Sequence, residues 1–528
     1  MNRFHQPWVP AVASALLGIL IFAVSIGGTY IYDDPVLLQK DPRIAHPDQW
    51  YRFWTEKYIP NADNLYRPLV SMSYAIQWRL HGDRPWAFHL VNVLLHGAVC
   101  ACVGELARRL LEFRAALIAG LLFAVHPVHS EAVALVSGRP ELMCALGTLG
   151  ALILILKPLS IPRSLAIAGC AVLAILSKEQ GILLPLLLLI LTLTQKAWPI
   201  SRRTPPAQSA PADRRQAGQL LAVLLCFILA CYFIVRETHP EQLKFWWDRS
   251  FIDWTSNPLV SSPRNPHNIQ LLWDRMLLPV VILGHYTALL IAPFKLSIDY
   301  GGRVIGWNVH LNDPYLWIGL LAILGWIVAT GMAIARKSAA ALFALLALAL
   351  TYGMIGNIVA LIGTIFGERL IYLPSAFVLI LLAMAVSKLS ARPVALLLAI
   401  AVVSGGIRSV TYASRVSDRL RFYQMAHKEQ PNSIRLYITL ADEYLKRGML
   451  AQAQDIAKQE RQFMREYYQV WLQSGQIAME MHQFDEARTY LQRATQMQPE
   501  NTQGWLDLLA RRQQQFSVPP PTSTPQTP

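Results

Sequence analysis

Charge is what this sequence has least of. Only 15% of its 528 residues are charged, against roughly 25% in soluble domains, while 54% are hydrophobic. That balance excludes an ordinary soluble protein and indicates a polytopic membrane protein. Cysteine is scarce too. Its six positions (Cys100, Cys102, Cys144, Cys170, Cys226 and Cys231) all fall in apolar segments, so they read as small core residues. No disulfide framework or zinc site is indicated. Acidic residues number 33 against 47 basic ones, leaving a net charge of +14. Much of that excess lies in short loops beside apolar runs, where positive-inside topology accounts for it without a nucleic-acid partner. A small-x-small cleavage site is also missing before GTYIYDD, so the first apolar stretch is expected to be kept as a signal-anchor helix.

Long apolar runs are what the chain has most of. Runs able to span a bilayer fall near 8–28, 86–107, 115–135, 140–156, 163–178, 181–197, 217–236, 314–334, 339–357, 370–390 and 393–412. A loop over 29–85 separates the first two, and a second large loop covers 237–313. The latter contains the apolar piece LLPVVILGHYTALLIAPF. Arg108, Arg109 and Arg114 mark one connection as cytoplasmic, Lys157 and Arg163 a second, and Lys196, Arg202, Arg203, Arg214 and Arg215 a third. Keeping Arg336, Lys337, Lys388 and Arg392 on the same side requires that 271–293 not cross. It is therefore expected to be re-entrant or interfacial, giving eleven spans, a cytoplasmic N-terminus and an outer C-terminus.

Beyond residue 412 the sequence turns polar. Tyr437, Trp471 and Trp505 recur at a spacing of 34, and so do Ala453 and Ala487. That period predicts tetratricopeptide-type helical hairpins over 413–515, after a transmembrane domain at 1–412. The Pro/Ser/Thr-rich segment 516–528 is expected to be disordered. The fold class expected is thus all-α: a polytopic helical membrane protein with a C-terminal repeat domain.

Five polar clusters interrupt or border the spans: Tyr32–Asp33–Asp34; HPVHSE with GRPE, carrying His126, His129, Glu131, Arg139 and Glu141; Lys178–Glu179; Asp299–Tyr300; and Glu368–Arg369 with Tyr372. Each has a plain structural reading, as a turn, a cap or a snorkelling side chain. The topology, however, sends all five to the outer interface, and ionisable groups at that depth default to a functional reading. Asp33 and Asp34 can orient or deprotonate a hydroxyl, while Arg139, Lys178 and Arg369 can neutralise a phosphate. His126 and His129, spaced i, i+3, leave a divalent metal with Glu131 as third ligand as an alternative.

YDD, AVHPVHSEAVALVSGRPEL, SKEQG, NPL (257–259) ahead of LSIDY, and ERLIYLPS, followed by the helical repeats, together resemble the TMTC family. These are transmembrane, tetratricopeptide-repeat O-mannosyltransferases of the GT-C superfamily; the short repeat array here looks bacterial, which implies an inner-membrane location. The resemblance implies inverting transfer of a sugar, such as mannose, from a polyprenyl-phosphate donor to Ser or Thr of a protein acceptor gathered by the repeats. Asp33 would be the base with Asp34 behind it, Glu368 would hold Arg369, and Tyr372 would line the lipid-phosphate pocket. Transfer to a glycan or lipid and a non-catalytic scaffold are the competing readings.

Overall fold

A computed structural model describes residues 6–60, 65–199, 211–239, 272–301, 304–305, 309–359 and 361–517. The NPL stretch, Arg202, Arg203 and the final eleven residues lie outside them. Among the described residues all regular structure is helical, with no strand. The order is α1 Val9–Phe22, α2 Asp34–Leu38, α3 Pro42–Ala45, α4 Pro68–His81, α5 Pro85–Leu110, α6 Phe113–Val125, α7 Ser130–Ala134, α8 Arg139–Ile155, α9 Ile161–Ile175, α10 Leu184–Ala197, α11 Pro211–Thr238, α12 Leu272–Ile291, α13 Pro314–Ala335, α14 Ala339–Ile355, α15 Tyr372–Val386 and α16 Ala391–Ala413.

The sequence sets many of these starts directly. Proline stands in the first turn of α1, α5, α8, α9, α10 and α13, where its missing N–H costs no helical hydrogen bond. Among the described residues eight helices are long and apolar enough to cross a membrane, and a ninth forms if Phe113–Val125 and Pro127–Ala134, bent by 50°, are one span. The expected eleven also count Ile161–Ile175 and Ala339–Ile355, which are apolar but shorter. The stretch read as non-crossing contains a third short apolar helix, Met276–Ile291. It runs antiparallel to α13: Gly284 meets the backbone of Tyr315 and Gly319 that of Val280, so a Cβ on either would strike the other helix.

In lipid, apolar surface alone gives helices little reason to choose one another, and close backbone approach does that work. α1 packs on α5 and α6 in this way. A Cβ on Gly104 would lie 2.7 Å from the Pro10 carbonyl oxygen, and one on Gly18 would lie 2.8 Å from Cys100 Sγ. This packing holds the end of α1, and the aspartates after it, over the bend between α6 and α7.

The chain divides into a larger unit that ends at Arg419 and a smaller one built chiefly from Leu420 onward. Thr29 N–H donates to the Val416 carbonyl at 2.8 Å, which keeps the 3-10 turn Ser414–Ser417 with the spans. The smaller unit holds α17 Arg419–Glu429, α18 Ile434–Lys446, α19 Leu450–Phe463, α20 Tyr468–Glu480, α21 Phe484–Met497 and α22 Pro499–Ser517. The hairpins α18–α19 and α20–α21 turn through left-handed residues, Gly448 (φ 69°) and His482 (φ 57°), 34 positions apart. Ala453 and Ala487 are fully buried at matching places in the second helices.

The tight α1–α5 crossing makes Gly104→Val destabilising, by about 1–3 kcal/mol, whereas Gly169→Ala, with open space around its Cβ, is close to neutral. Thermal unfolding of the two variants in one detergent checks this; equal midpoints contradict it.

Candidate active site

α1 ends in a 3-10 turn, Ala23–Gly27, and the chain then folds back through Tyr32. Tyr32 is left-handed (φ 58°), a conformation that costs a bulky L-residue on the order of 1–3 kcal/mol. Its hydroxyl donates to Asp299 Oδ1 at 3.3 Å. This sharp turn separates the two aspartates. The Asp33 side chain keeps 35% of its surface exposed, while Asp34 has none.

Asp34 is a clasp. Its carboxylate accepts N–H groups from Ile31 (3.1 Å), Val136 (3.3 Å) and Ser137 (2.7 Å), tying the start of α2 to the turn before α8. Burial raises its pKa to about 6, with those N–H groups pulling the other way.

Asp33 faces Arg369, with Oδ2 and Nη1 3.5 Å apart. The same guanidinium reaches Glu131, Nε to Oε1 at 3.5 Å, and the Arg369 backbone N–H donates to Glu131 Oε2 at 2.8 Å. Glu131 is delivered by α7, just past the 50° bend that HPVH imposes on the span. Arg369 therefore stands between a buried carboxylate and a solvent-facing one. One step away, Glu368 Oε1 accepts from Tyr300 Oη (2.6 Å) and from Ser297 N–H (2.6 Å), fixing the turn that carries Asp299. Further along, Lys178 Nζ donates to Glu141 Oε1 at 2.9 Å, both side chains being 4% exposed. Glu179 pairs with Arg67, Nη2 to Oε2 at 2.8 Å.

Four of the five polar clusters thus meet through Asp33, Glu131, Asp299–Tyr300 and Glu368–Arg369, and the fifth joins GRPE through Lys178 and Glu141. Several individual roles need correction. Arg139 does not face an open site: it is fully buried, donating to Asn92 Oδ1 (3.0 Å), Ser73 Oγ (3.1 Å) and the Phe88 carbonyl (3.1 Å) beneath the Tyr74 ring. A guanidinium so engaged is a structural post. Glu368 does not hold Arg369; Glu131 does. Tyr372 is buried, its hydroxyl 2.7 Å from His96 Nδ1, so it lines no accessible pocket.

The metal set is likewise not assembled. His126 Nε2–H donates to the Leu290 carbonyl (3.0 Å), and its Nδ1 accepts from Val128 N–H (3.3 Å). His129 spends its nitrogens on the Phe123 carbonyl (2.9 Å) and the Ser375 hydroxyl (2.9 Å). Glu131 turns to Arg369, and among the described residues no group of three metal-ligating side chains is found.

Arg67 is the functional candidate that the sequence reading passed over. It precedes Pro68 at the start of α4, with its guanidinium 5.2 Å from the Tyr58 ring centroid, and it remains 13% exposed. The available signal was an arginine beside a helix-starting proline in the outer loop 29–85, where the Tyr32–Asp34 cluster alone was singled out.

With this geometry established, comparison with known proteins is informative. Residues 67–207 match the family described as dolichyl-phosphate-mannose-protein mannosyltransferase. A protein O-mannosyl-transferase of Caenorhabditis elegans, F38B6.6, is 26% identical over 394 residues, covering 71% of this chain and 51% of the relative. The mouse protein O-mannosyl-transferase TMTC4 is 37% identical over 161 residues, covering 26% of this chain and 22% of its own length. The chain therefore spans about half, or less, of the curated relatives it matches. Among solved structures, ArnT from Cupriavidus metallidurans, crystallised with undecaprenyl phosphate, aligns over 91% of this chain and 79% of its own, at 17% identity and a TM-score of 0.44. Over these stretches the chain is similar in sequence to protein O-mannosyl-transferases, TMTC4 among them.

Proposed function

We propose that this protein is an inverting GT-C glycosyltransferase that moves a sugar, mannose being the first candidate, from a polyprenyl phosphate to a hydroxyl of a protein acceptor. The observation that carries the reading is the asymmetry of the two aspartates. Asp33 faces solvent beside Arg369, whereas Asp34 is sealed and spent on backbone N–H groups. Asp33 is then the base. It takes the acceptor's proton as the oxygen attacks the anomeric carbon, while the bond from that carbon to the phosphate oxygen breaks. The departing phosphate gains charge, and this reading assigns its stabilisation to the guanidiniums of Arg369 and Arg67, both partly exposed. Arg139 and Tyr372 have no direct part, and Lys178 acts through Glu141. The repeated hairpins of α18–α21, with turns and buried alanines 34 residues apart, support a tetratricopeptide-type domain that gathers an extended Ser/Thr-bearing segment. The outer face of a bacterial inner membrane is the location that this reading adopts.

The full-length protein in nanodiscs, given radiolabelled polyprenyl-phosphate mannose and extracytoplasmic protein, tests the proposal by label transfer. Asp33→Asn is expected to lower kcat by about a hundredfold or more with its thermal midpoint intact. Asp34→Asn, which leaves one acceptor oxygen for three N–H groups, is expected to lose stability and keep measurable transfer at low temperature. A fully active Asp33→Asn protein overturns the assignment of the base. Wild-type protein that transfers no sugar from any polyprenyl phosphate overturns the function.

Asp34 also gives the protein a pH signature. Its carboxyl pKa rises from 3.8 to about 6 on folding, so its contribution to stability is complete below the lower value and disappears as pH climbs through the higher one. The stability of wild type minus that of Asp34→Asn is therefore expected to fall between about pH 4 and pH 6 and then level off. Denaturation midpoints measured across that range check it; a flat difference contradicts the buried, proton-holding environment.

A further inference from the structure

The base assigned above sits on a strained turn, and something must hold that turn. Among the described residues the Asp33 carboxylate makes one ionic contact, to Arg369, at the long distance of 3.5 Å. Its backbone follows Tyr32, whose left-handed conformation survives only where neighbouring groups impose it. One group that reaches it from across the chain is Asp299, 267 residues away and 5% exposed, which accepts the Tyr32 hydroxyl. Asp299 is itself braced. The Ser297 hydroxyl donates to its carbonyl at 2.9 Å, and Ser297 N–H and the Tyr300 hydroxyl both end on Glu368 Oε1. Glu368 is the residue immediately before Arg369. Asp33 is therefore tethered twice to the same short helix at Glu368–Ile371: once directly through Arg369, and once through Tyr32, Asp299 and the 297–300 turn.

We propose that Tyr32 and Asp299 are a positioning pair for Asp33: the Tyr32–Asp299 hydrogen bond holds the left-handed turn that aims the carboxylate at the acceptor hydroxyl. The role rests on the proposed function for its catalytic consequence and on the turn alone for its structural one. Neither residue touches the reacting atoms. Loss of the pair leaves donor binding, which falls to Arg369 and Arg67, largely unchanged while the base wanders.

The test uses full-length protein in nanodiscs and the variants Tyr32→Phe, Asp299→Asn and the double variant. Tyr32→Phe removes a single oxygen and is measured first, so any misfolding of Asp299→Asn leaves the result readable. Amide hydrogen exchange, followed by mass spectrometry on the peptide covering residues 29–38, is expected to quicken about tenfold in each single variant and no further in the double, as for partners in one interaction. In the mannose-transfer assay kcat is expected to fall about tenfold, with KM for polyprenyl-phosphate mannose within about twofold of wild type. Unchanged exchange in Tyr32→Phe overturns the pair, and so do effects that add in the double variant. Quickened exchange with wild-type kcat, in a protein that Asp33→Asn inactivates, also overturns the positioning role. The two readings fail separately. If the single variants loosen the turn while Asp33→Asn transfers sugar normally, the base assignment falls and the tether stands; if Asp33→Asn is inactive while the turn is unmoved, the tether falls and the base stands.

Discussion

Glu131 meeting Arg369 is the contact on which the site depends. A carboxylate left alone at the edge of a bilayer is expensive to ionise, and a guanidinium there is no cheaper. Together, with a side-chain contact and a backbone N–H aimed at the same carboxylate, each makes the other tolerable. The pairing also fixes chain geometry. The bend after Val125 has to deliver Glu131 to the mouth of α15, and the 3-10 turn Glu368–Ile371 has to present Arg369 to it. Once those two helix breaks are locked, Arg369 has a remaining face, and Asp33 occupies it.

The order of burial around this pair separates structure from chemistry. Asp34, Arg139, Glu368 and Tyr372 are all sealed, and their hydrogen bonds run to backbone groups or to neighbouring side chains. Such groups define shape, because removing one partner strands the other in a medium that does not solvate it. Asp33 and Arg369 are less confined, with contacts at 3.5 Å and open surface, and Arg67, though 2.8 Å from Glu179, stays 13% exposed. The transfer proposed above needs cations held firmly enough to stay in place yet not fully neutralised. Arg369, with two carboxylates each at 3.5 Å, meets that requirement better than Lys178, which is 2.9 Å from one buried glutamate.

The helices were largely legible in the sequence because long apolar runs and first-turn prolines are local signals. α5 and α13 lie within three residues of the runs read for them. The gathering of the polar clusters was legible for a different reason: charge bias assigns sides, and sides bring distant segments to one interface. The division of labour inside the cluster was not legible. Asp33 and Asp34 are identical in sequence terms, and only the turn at Tyr32 makes one a clasp and leaves the other facing water. Arg139 looked like a phosphate ligand because it is an arginine at a helix start. Its real partners, Ser73, Phe88 and Asn92, come from α4 and α5, and no spacing rule joins those positions to it. His126 and His129 suggested a metal by their spacing, yet the proline between them ends one helix and turns both rings onto backbone carbonyls.

A left-handed tyrosine before the proposed base raises the question of why glycine does not stand there instead. Glycine adopts that conformation without strain, but it carries no side chain to reach Asp299 and adds backbone freedom where the next residue must point one way. Tyrosine accepts the strain and in return gains a hydroxyl that ties the turn to the 297–300 segment. The two ties on Asp33 lead back to adjacent residues, Glu368 and Arg369. A shift of that short helix would therefore move Asp33 and its neighbouring cation together and keep their spacing, a geometry on which the proposed transfer depends.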